Sequence, residues 1–120
     1  MKIAIIMGSD SDWGILKVAE QELAAAGVAV DVLVASAHRT PNLVHDYVLK
    51  ARSEGIEVII AAAGAAAHLP GVVAAFTTLP VIGVPINATS LDGMDALLSI
   101  AQMPSGIPVA IMVKKKKKSA

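Results

Sequence analysis

Short apolar runs alternate with segments of helical periodicity, and this alternation constrains the fold more than any other feature of the sequence. Strands are predicted over Lys2–Met7, Val28–Ala35, Glu57–Ala62, Val81–Pro85 and Pro108–Val113. Helices are predicted over Asp12–Ala26, Pro41–Glu54, His68–Thr77 and Asp92–Gln102. Strands that alternate with helices through short connections are parallel, with right-handed crossovers. The sequence therefore predicts a single α/β domain over residues 1–113: a three-layer α/β/α sandwich whose five-stranded, flavodoxin-like sheet has the order 2-1-3-4-5.

The first two helices show apolar stripes that predict their buried faces. The stripe of the first helix consists of Ile15, Leu16, Ala19, Leu23 and Ala26. The stripe of the second helix consists of Leu43, Val44, Tyr47, Val48 and Ala51. The third helix is apolar on almost every side, so we expect part of it to pack against another subunit.

The charge distribution excludes several classes of function. Five of the ten basic residues form the run Lys114–Lys118, so the rest of the chain carries five basic and ten acidic residues. Such an acidic body, with one Trp, one Tyr and one Phe, has neither the basic face nor the stacking platforms of a nucleic-acid binder. Residues 114–120 are predicted to be a disordered, lysine-rich tail.

Localisation follows from what interrupts the apolar runs. None of them reaches the roughly 18 residues that a membrane span needs. Gly8, Ser9 and Asp10 cut the amino-terminal apolar stretch short, which argues against a secretory signal. The chain has no cysteine, which suits a reducing compartment and excludes thiolate metal sites. We predict a cytoplasmic protein that binds neither membrane nor metal.

Polar residues collect in the loop Gly8–Asp12, after the first strand. Capping of the following helix explains any one of them about as well as function does. Four polar residues in this loop exceed what capping needs. A helix start suits a phosphate, with serine hydroxyls as further donors and an aspartate for sugar hydroxyls. The loop is neither a Walker loop nor a dinucleotide fingerprint.

Two further loops carry histidines. The loop Ser36–Pro41 places His38 beside Arg39, a proton-exchanging group next to a bidentate phosphate ligand. The loop Ala63–Pro70 has almost no side-chain bulk except His68, so a flat ring can approach its backbone. The carboxyl ends of the first three strands bring these loops together, and we predict one phosphate-binding, histidine-containing active site there. A phosphosugar- or nucleotide-binding module without catalysis remains the alternative, and a flavodoxin-type carrier is disfavoured by the few aromatics.

Five motifs in register resemble one known family. They are GSDSD at 8–12, SAHRTP at 36–41, AAHLPG at 66–71, PVIGVP at 80–85 and QMP at 102–104. They resemble the 5-(carboxyamino)imidazole ribonucleotide mutase family of de novo purine synthesis, over roughly residues 1–110. The resemblance implies an isomerase without cofactor that moves a carboxylate from the exocyclic nitrogen to the ring carbon of its ribonucleotide, through decarboxylation and recarboxylation.

The resemblance also implies a role for each site residue. It assigns phosphate contacts to Ser9, Ser36 and Arg39, a ribose contact to Asp12, and the proton-transferring acid/base to His38. It assigns the wall around the imidazole and carbon dioxide to Gly64, Ala66, His68 and Leu69, with Ala37 also in the substrate-binding set. A related branch, a carboxylase that uses free carbon dioxide, typically has lysine after this histidine, so Arg39 favours the mutase.

The sequence departs from the family pattern at two places. The family usually has glycine at the position of Ala65, so the added methyl is expected to crowd the ring or tilt a backbone donor. After Ala110 the family continues into a carboxyl-terminal helix that packs on neighbouring subunits of a homo-octamer. This chain instead reaches five lysines, and we expect a weakened octamer.

Overall fold

The computed structural model of the chain describes residues 1–113, in which strands and helices alternate in the predicted order. The strands are β1 (Lys2–Met7), β2 (Ala29–Val34), β3 (Ile56–Gly64), β4 (Val81–Ile86) and β5 (Ala110–Ile111). The helices are α1 (Trp13–Ala25), α2 (Pro41–Ala51), α3 (Leu69–Ala75) and α4 (Met94–Ala101), and a short 3-10 turn, Asp10–Asp12, precedes α1. The lysine-rich tail predicted for 114–120 lies outside the described residues.

The five strands form one parallel sheet in the order β2-β1-β3-β4-β5, which confirms the predicted topology. At the end of β1, Met7 pairs with Val34 on one side and Ala62 on the other. The carboxyl ends of the first three strands therefore stop at the same edge of the sheet. This edge is the switch point where ligands bind in folds of this type.

Helices cover both faces of the sheet, as the three-layer prediction requires. Ala4 and Ile6 of β1 join a core that includes residues of α2, α3 and α4. Ile5 and Met7 of the same strand belong to a second core, to which α1 contributes Leu16. Alternate residues of a strand point to opposite faces, so one strand serves both cores. The continuous burial of Ile3–Met7 explains why this run shows no polar alternation.

The element boundaries differ from the predictions by a few residues, and β1 matches in full. The third helix is shorter than the predicted His68–Thr77, and β3 runs two residues past the predicted end, Ala62. The last strand is reduced to two residues at the sheet edge. Local periodicity indicates an element, while its ends depend on where hydrogen bonding to neighbours stops.

Two of the residues predicted to face inward are exposed. Ala26 lies just past the end of α1, where the chain turns towards Gly27. Leu43 is 44% exposed in the first turn of α2, whose buried stripe is Val44, Val48 and Ala51. Those three positions follow the spacing i, i+4, i+7, which leaves Leu43 at the edge of the stripe. Within residues 1–113 no helix is long and apolar enough to cross a membrane.

Candidate active site

A pocket of about 340 Å³ opens at the carboxyl ends of β1, β2 and β3. Three loops form most of its wall, and they are the loops predicted from the sequence: Gly8–Asp12, Ser36–Pro41 and Ala63–Pro70. All ten nominated site residues line it: Ser9, Asp12, Ser36, Ala37, His38, Arg39, Gly64, Ala66, His68 and Leu69. The tertiary structure thus collects these residues around one space, while their roles remain predictions.

The first loop presents two serine hydroxyls side by side. The amide of Gly8 donates to the carbonyl of Ala62 (3.1 Å), so the loop starts from the end of the sheet. The hydroxyl oxygens of Ser9 and Ser11 lie 2.8 Å apart within hydrogen-bonding distance. Ser9 also caps the 3-10 turn, because its hydroxyl oxygen accepts from the Ser11 amide. Ser9 therefore caps the turn and also lines the pocket, so the sequence alone could not distinguish a capping serine from a ligand-binding one.

Asp12 is the only charged or polar residue in the described chain that counts as buried, at 8% exposure. Loss of solvent raises the pKa of its carboxyl, and the nearby Asp10 raises it further, while a hydrogen bond from the backbone of Ser9 acts in the opposite direction. Its side chain makes no capping hydrogen bond to α1. A carboxyl whose pKa is raised by burial and that lines a pocket is a candidate functional group.

The second loop folds around the hydroxyl of Ser36. This oxygen accepts hydrogen bonds from the backbone amides of His38 (3.2 Å) and Arg39 (3.1 Å). The side chains of His38 and Arg39 are exposed at the pocket. Ser36 therefore contributes to the local fold of the loop as well as to the pocket wall.

The histidines of the second and third loops contact each other across the pocket. Nε2 of His38 lies 2.7 Å from Nδ1 of His68, and the two rings meet edge to face with centroids 4.8 Å apart. One ring nitrogen donates and the other accepts, according to the tautomers. This contact joins residues 30 positions apart in the sequence. The second ring nitrogen of His38, Nδ1, takes no part in it.

The third loop combines a close approach with an unusual backbone conformation. A Cβ placed on Gly64 would stand 2.8 Å from the Cβ of Ala88 and 3.1 Å from the carbonyl oxygen of Ile86, so only glycine fits. The next residue, Ala65, has φ of 53°, in the left-handed region that favours glycine. A glycine at this position, which the resemblance described above leads us to expect, would adopt this backbone conformation without strain.

Among the residues that line the pocket, only Ala88 lies outside the three loops predicted from the sequence. Ala88 is in the loop between β4 and α4, next to Gly64, whereas Ser11 and Ala65 belong to the first and third loops. Ala88 follows the end of β4, the strand next to β3, and this position could have been used to predict that it lies near the pocket. The alanine side chain itself has no chemical group that indicates a site. Among residues 1–113, no three His, Asp or Glu side chains are grouped as metal ligands would be.

His45 lies outside the pocket. Its ring contacts Asp46 and meets the ring of Phe76 edge to face. His45 is therefore a surface residue of α2.

Comparison with known proteins gives one consistent family. The family model for AIR carboxylase matches residues 2–120. An N5-carboxyaminoimidazole ribonucleotide mutase of Vibrio parahaemolyticus is 57% identical over 112 residues, which are 93% of this chain and 70% of that protein. The protein of the same name from Pyrococcus horikoshii is 55% identical, over 98% of this chain and 67% of its own length.

A solved structure agrees with these sequence matches. The crystal structure of Treponema denticola PurE superposes with a TM-score of 0.83 at 30% identity, covering 94% of this chain and 72% of that one. The chain thus spans about 70% of the length of the first relatives it matches. On the family match and these identities, the chain belongs to the AIR carboxylase family.

Proposed function

We propose that this chain is a mutase of purine biosynthesis, which converts 5-(carboxyamino)imidazole ribonucleotide into 4-carboxy-5-aminoimidazole ribonucleotide. The observation that carries the proposal is the pocket itself, which brings the contact between His38 and His68 together with Ser9, Ser36 and Arg39. Its relatives carry the name of this activity at 50–59% identity, and the resemblance covers every loop of the pocket.

The substrate's phosphate is assigned to the hydroxyls of Ser9 and Ser36 and to the guanidinium of Arg39. A guanidinium binds two phosphate oxygens in a fixed geometry, and a serine hydroxyl adds a single donor. The pocket brings all three residues together from two loops. Asp12, buried beside Ser9, is assigned to the ribose hydroxyls, because a carboxylate accepts hydrogen bonds from them.

The imidazole ring of the substrate and the carbon dioxide are assigned to the part of the pocket wall that is built by the third loop and Ala37. Gly64 and Ala66 present little side-chain bulk, Leu69 adds an apolar side chain, and Ala37 of the second loop lines the same pocket. Small residues allow a flat imidazole to lie close to backbone groups, and an apolar lining retains carbon dioxide without competing hydrogen bonds. His68 completes this wall and, by bonding to Nε2, orients the ring of His38.

The reaction needs one proton to be given and one to be taken. The carbamate C–N bond breaks, its electrons pass to the exocyclic nitrogen, and protonated His38 gives that nitrogen a proton as carbon dioxide leaves. The adjacent ring carbon then attacks the retained carbon dioxide and forms the new C–C bond. Neutral His38 takes the proton from that carbon, which restores the aromatic ring and the starting enzyme. The cycle balances without a metal or cofactor.

The cellular setting is also part of the proposal. We assign the enzyme to the cytoplasm, where a chain without cysteine is at no disadvantage, and to a homo-octamer as the family resemblance implies. We assign it no nucleic-acid partner, because no basic surface is expected from an acidic body.

A turnover assay separates the candidate functions. The protein is supplied either with the carboxyamino ribonucleotide, or with aminoimidazole ribonucleotide and bicarbonate, and the ring-carboxylated product is measured. The mutase forms product from the first substrate without added bicarbonate. Product only from the second mixture identifies the carboxylase, and ribonucleotide binding without product identifies a binding module. Either of these results overturns the proposal.

A further inference from the structure

The loop from Ser36 to Thr40 is closed by a set of hydrogen bonds to one residue at its start. The hydroxyl of Thr40 accepts from the amide of Ser36 (2.8 Å) and donates to the carbonyl of the same residue (3.2 Å). The amide of Thr40 donates to that carbonyl as well (3.0 Å). Thr40 therefore holds both backbone groups of Ser36, and two of the three bonds depend on its hydroxyl.

The hydroxyl of Ser36, in turn, is bonded to the backbone of His38 and Arg39. Its oxygen accepts from the amides of His38 and Arg39, which uses both acceptor positions of a hydroxyl. Only its hydrogen remains, so Ser36 can donate to a ligand but accept nothing further. A phosphate, which has only acceptor oxygens, suits this state. The direction of the bond to the ligand is then fixed by the backbone that Thr40 holds.

Helix capping does not explain why a threonine stands here. Thr40 occupies the N-cap position of α2, where a threonine side chain normally accepts from an amide of the first helical turn. Its side chain makes no such bond, although its carbonyl accepts the first helical bond, from Val44 (3.3 Å). Pro41 at the first helical position supplies the preset backbone angle instead. The hydroxyl is turned away from the helix and into the loop.

We propose that Thr40 is a positioning residue of the site: its hydroxyl closes the loop on Ser36 and so sets where Ser36, His38 and Arg39 meet the ligand. Thr40 is absent from the residues that line the pocket, so it acts through Ser36 rather than by touching the substrate. The consequence for the reaction, as distinct from the loop, rests on the proposed mutase function.

Three variants test the proposal. Thr40→Val keeps the branched shape and removes both hydroxyl bonds, while Thr40→Ser keeps the hydroxyl. Thr77→Val is the matched control, because the Thr77 hydroxyl accepts from the amide of Leu79 (3.0 Å) in a loop that is not part of the pocket. Each variant is measured for amide hydrogen exchange at His38 and Arg39, for ribose 5-phosphate affinity, and for kcat and KM.

In Thr40→Val we expect amide exchange at His38 and Arg39 about tenfold faster, ribose 5-phosphate bound about tenfold more weakly, and KM raised more than kcat is lowered. Thr40→Ser should restore all three measurements, and Thr77→Val should match the parent in each. Should Thr40→Val not fold, Thr40→Ala is measured in the same way.

Parental exchange rates at both amides in Thr40→Val overturn the proposal, and so does a Thr40→Ser variant as impaired as the valine variant. If Thr40→Val shows faster exchange and weaker ribose 5-phosphate binding but the parent protein shows no mutase turnover, the positioning role is supported and the proposed function is refuted. The two proposals therefore fail separately.

Discussion

Replacement of Ala65 by glycine should stabilise the protein, although glycine usually destabilises. Ala65 has φ of 53°, and a left-handed backbone costs an L-residue about 1–2 kcal/mol. Glycine avoids this cost but adds freedom to the unfolded chain, worth about 0.4–1 kcal/mol. The difference predicts a gain of about 0.5–1 kcal/mol in the free energy of unfolding. For a domain of this size, that gain raises the melting temperature by about 2–4 °C.

The neighbouring Ala66 provides a matched control. Like Ala65 it is exposed in the same loop, but it does not share the positive φ. Ala66→Gly should therefore lower the free energy of unfolding by about 0.4–1 kcal/mol, the ordinary cost of glycine. Denaturant unfolding and thermal melting of both variants give the comparison. If Ala65→Gly is destabilised as much as Ala66→Gly, the backbone at Ala65 is not left-handed in solution and the reasoning is wrong.

Three further predictions concern the proposed roles. His38→Asn should keep the fold and ribose 5-phosphate binding but lower turnover by about 100- to 10,000-fold; turnover within about threefold of the parent would remove His38 as the acid/base of the proposed mechanism. Arg39→Lys keeps the charge and loses the fork, so calorimetry should show ribose 5-phosphate binding weakened by about 1.5–3 kcal/mol, and unchanged affinity would place the phosphate elsewhere. Burial raises the pKa of the Asp12 carboxyl above its ordinary value of 3.8, so the folded state binds a proton more readily than the unfolded chain. The free energy of unfolding therefore falls as the pH rises from 3.8 through the raised pKa of the folded state. Asp12→Asn should therefore become more stable than the parent as pH rises towards neutrality while it binds ribonucleotide less tightly; urea unfolding at acid and neutral pH checks the first effect, and a stability difference independent of pH would contradict it.

The positions of the three loops could be predicted from sequence because parallel strands end at a common edge. The run Lys2–Met7 has the length, the β-branched residues and the bounding glycine of a buried strand, and the structure reproduces it residue for residue. Once five such strands alternate with helices, connection rules leave few topologies. The polar residues that follow the first two strands, such as Ser9 and His38, are then neighbours by topology alone.

Contacts between distant residues needed the tertiary structure. The pairing of His38 with His68 depends on how two loops from different strands are aimed, and no local periodicity records it. The same holds for Ala88, whose Cβ lies where a side chain on Gly64 would have to go. Alanine has no donor, acceptor or charge, so its place in the pocket is a matter of packing.

The sequence by itself determined the order of elements, the sheet topology and the residue types available to the site. The tertiary structure alone decided that Ala65 is left-handed, that Leu43 faces solvent, and that the Thr40 hydroxyl turns away from the helix it precedes. The physical reason is the range of the forces involved. Apolar periodicity reports which face of an element is buried, whereas a backbone angle or a hydroxyl's partner is settled among several competing geometries only when the neighbouring loops are in place.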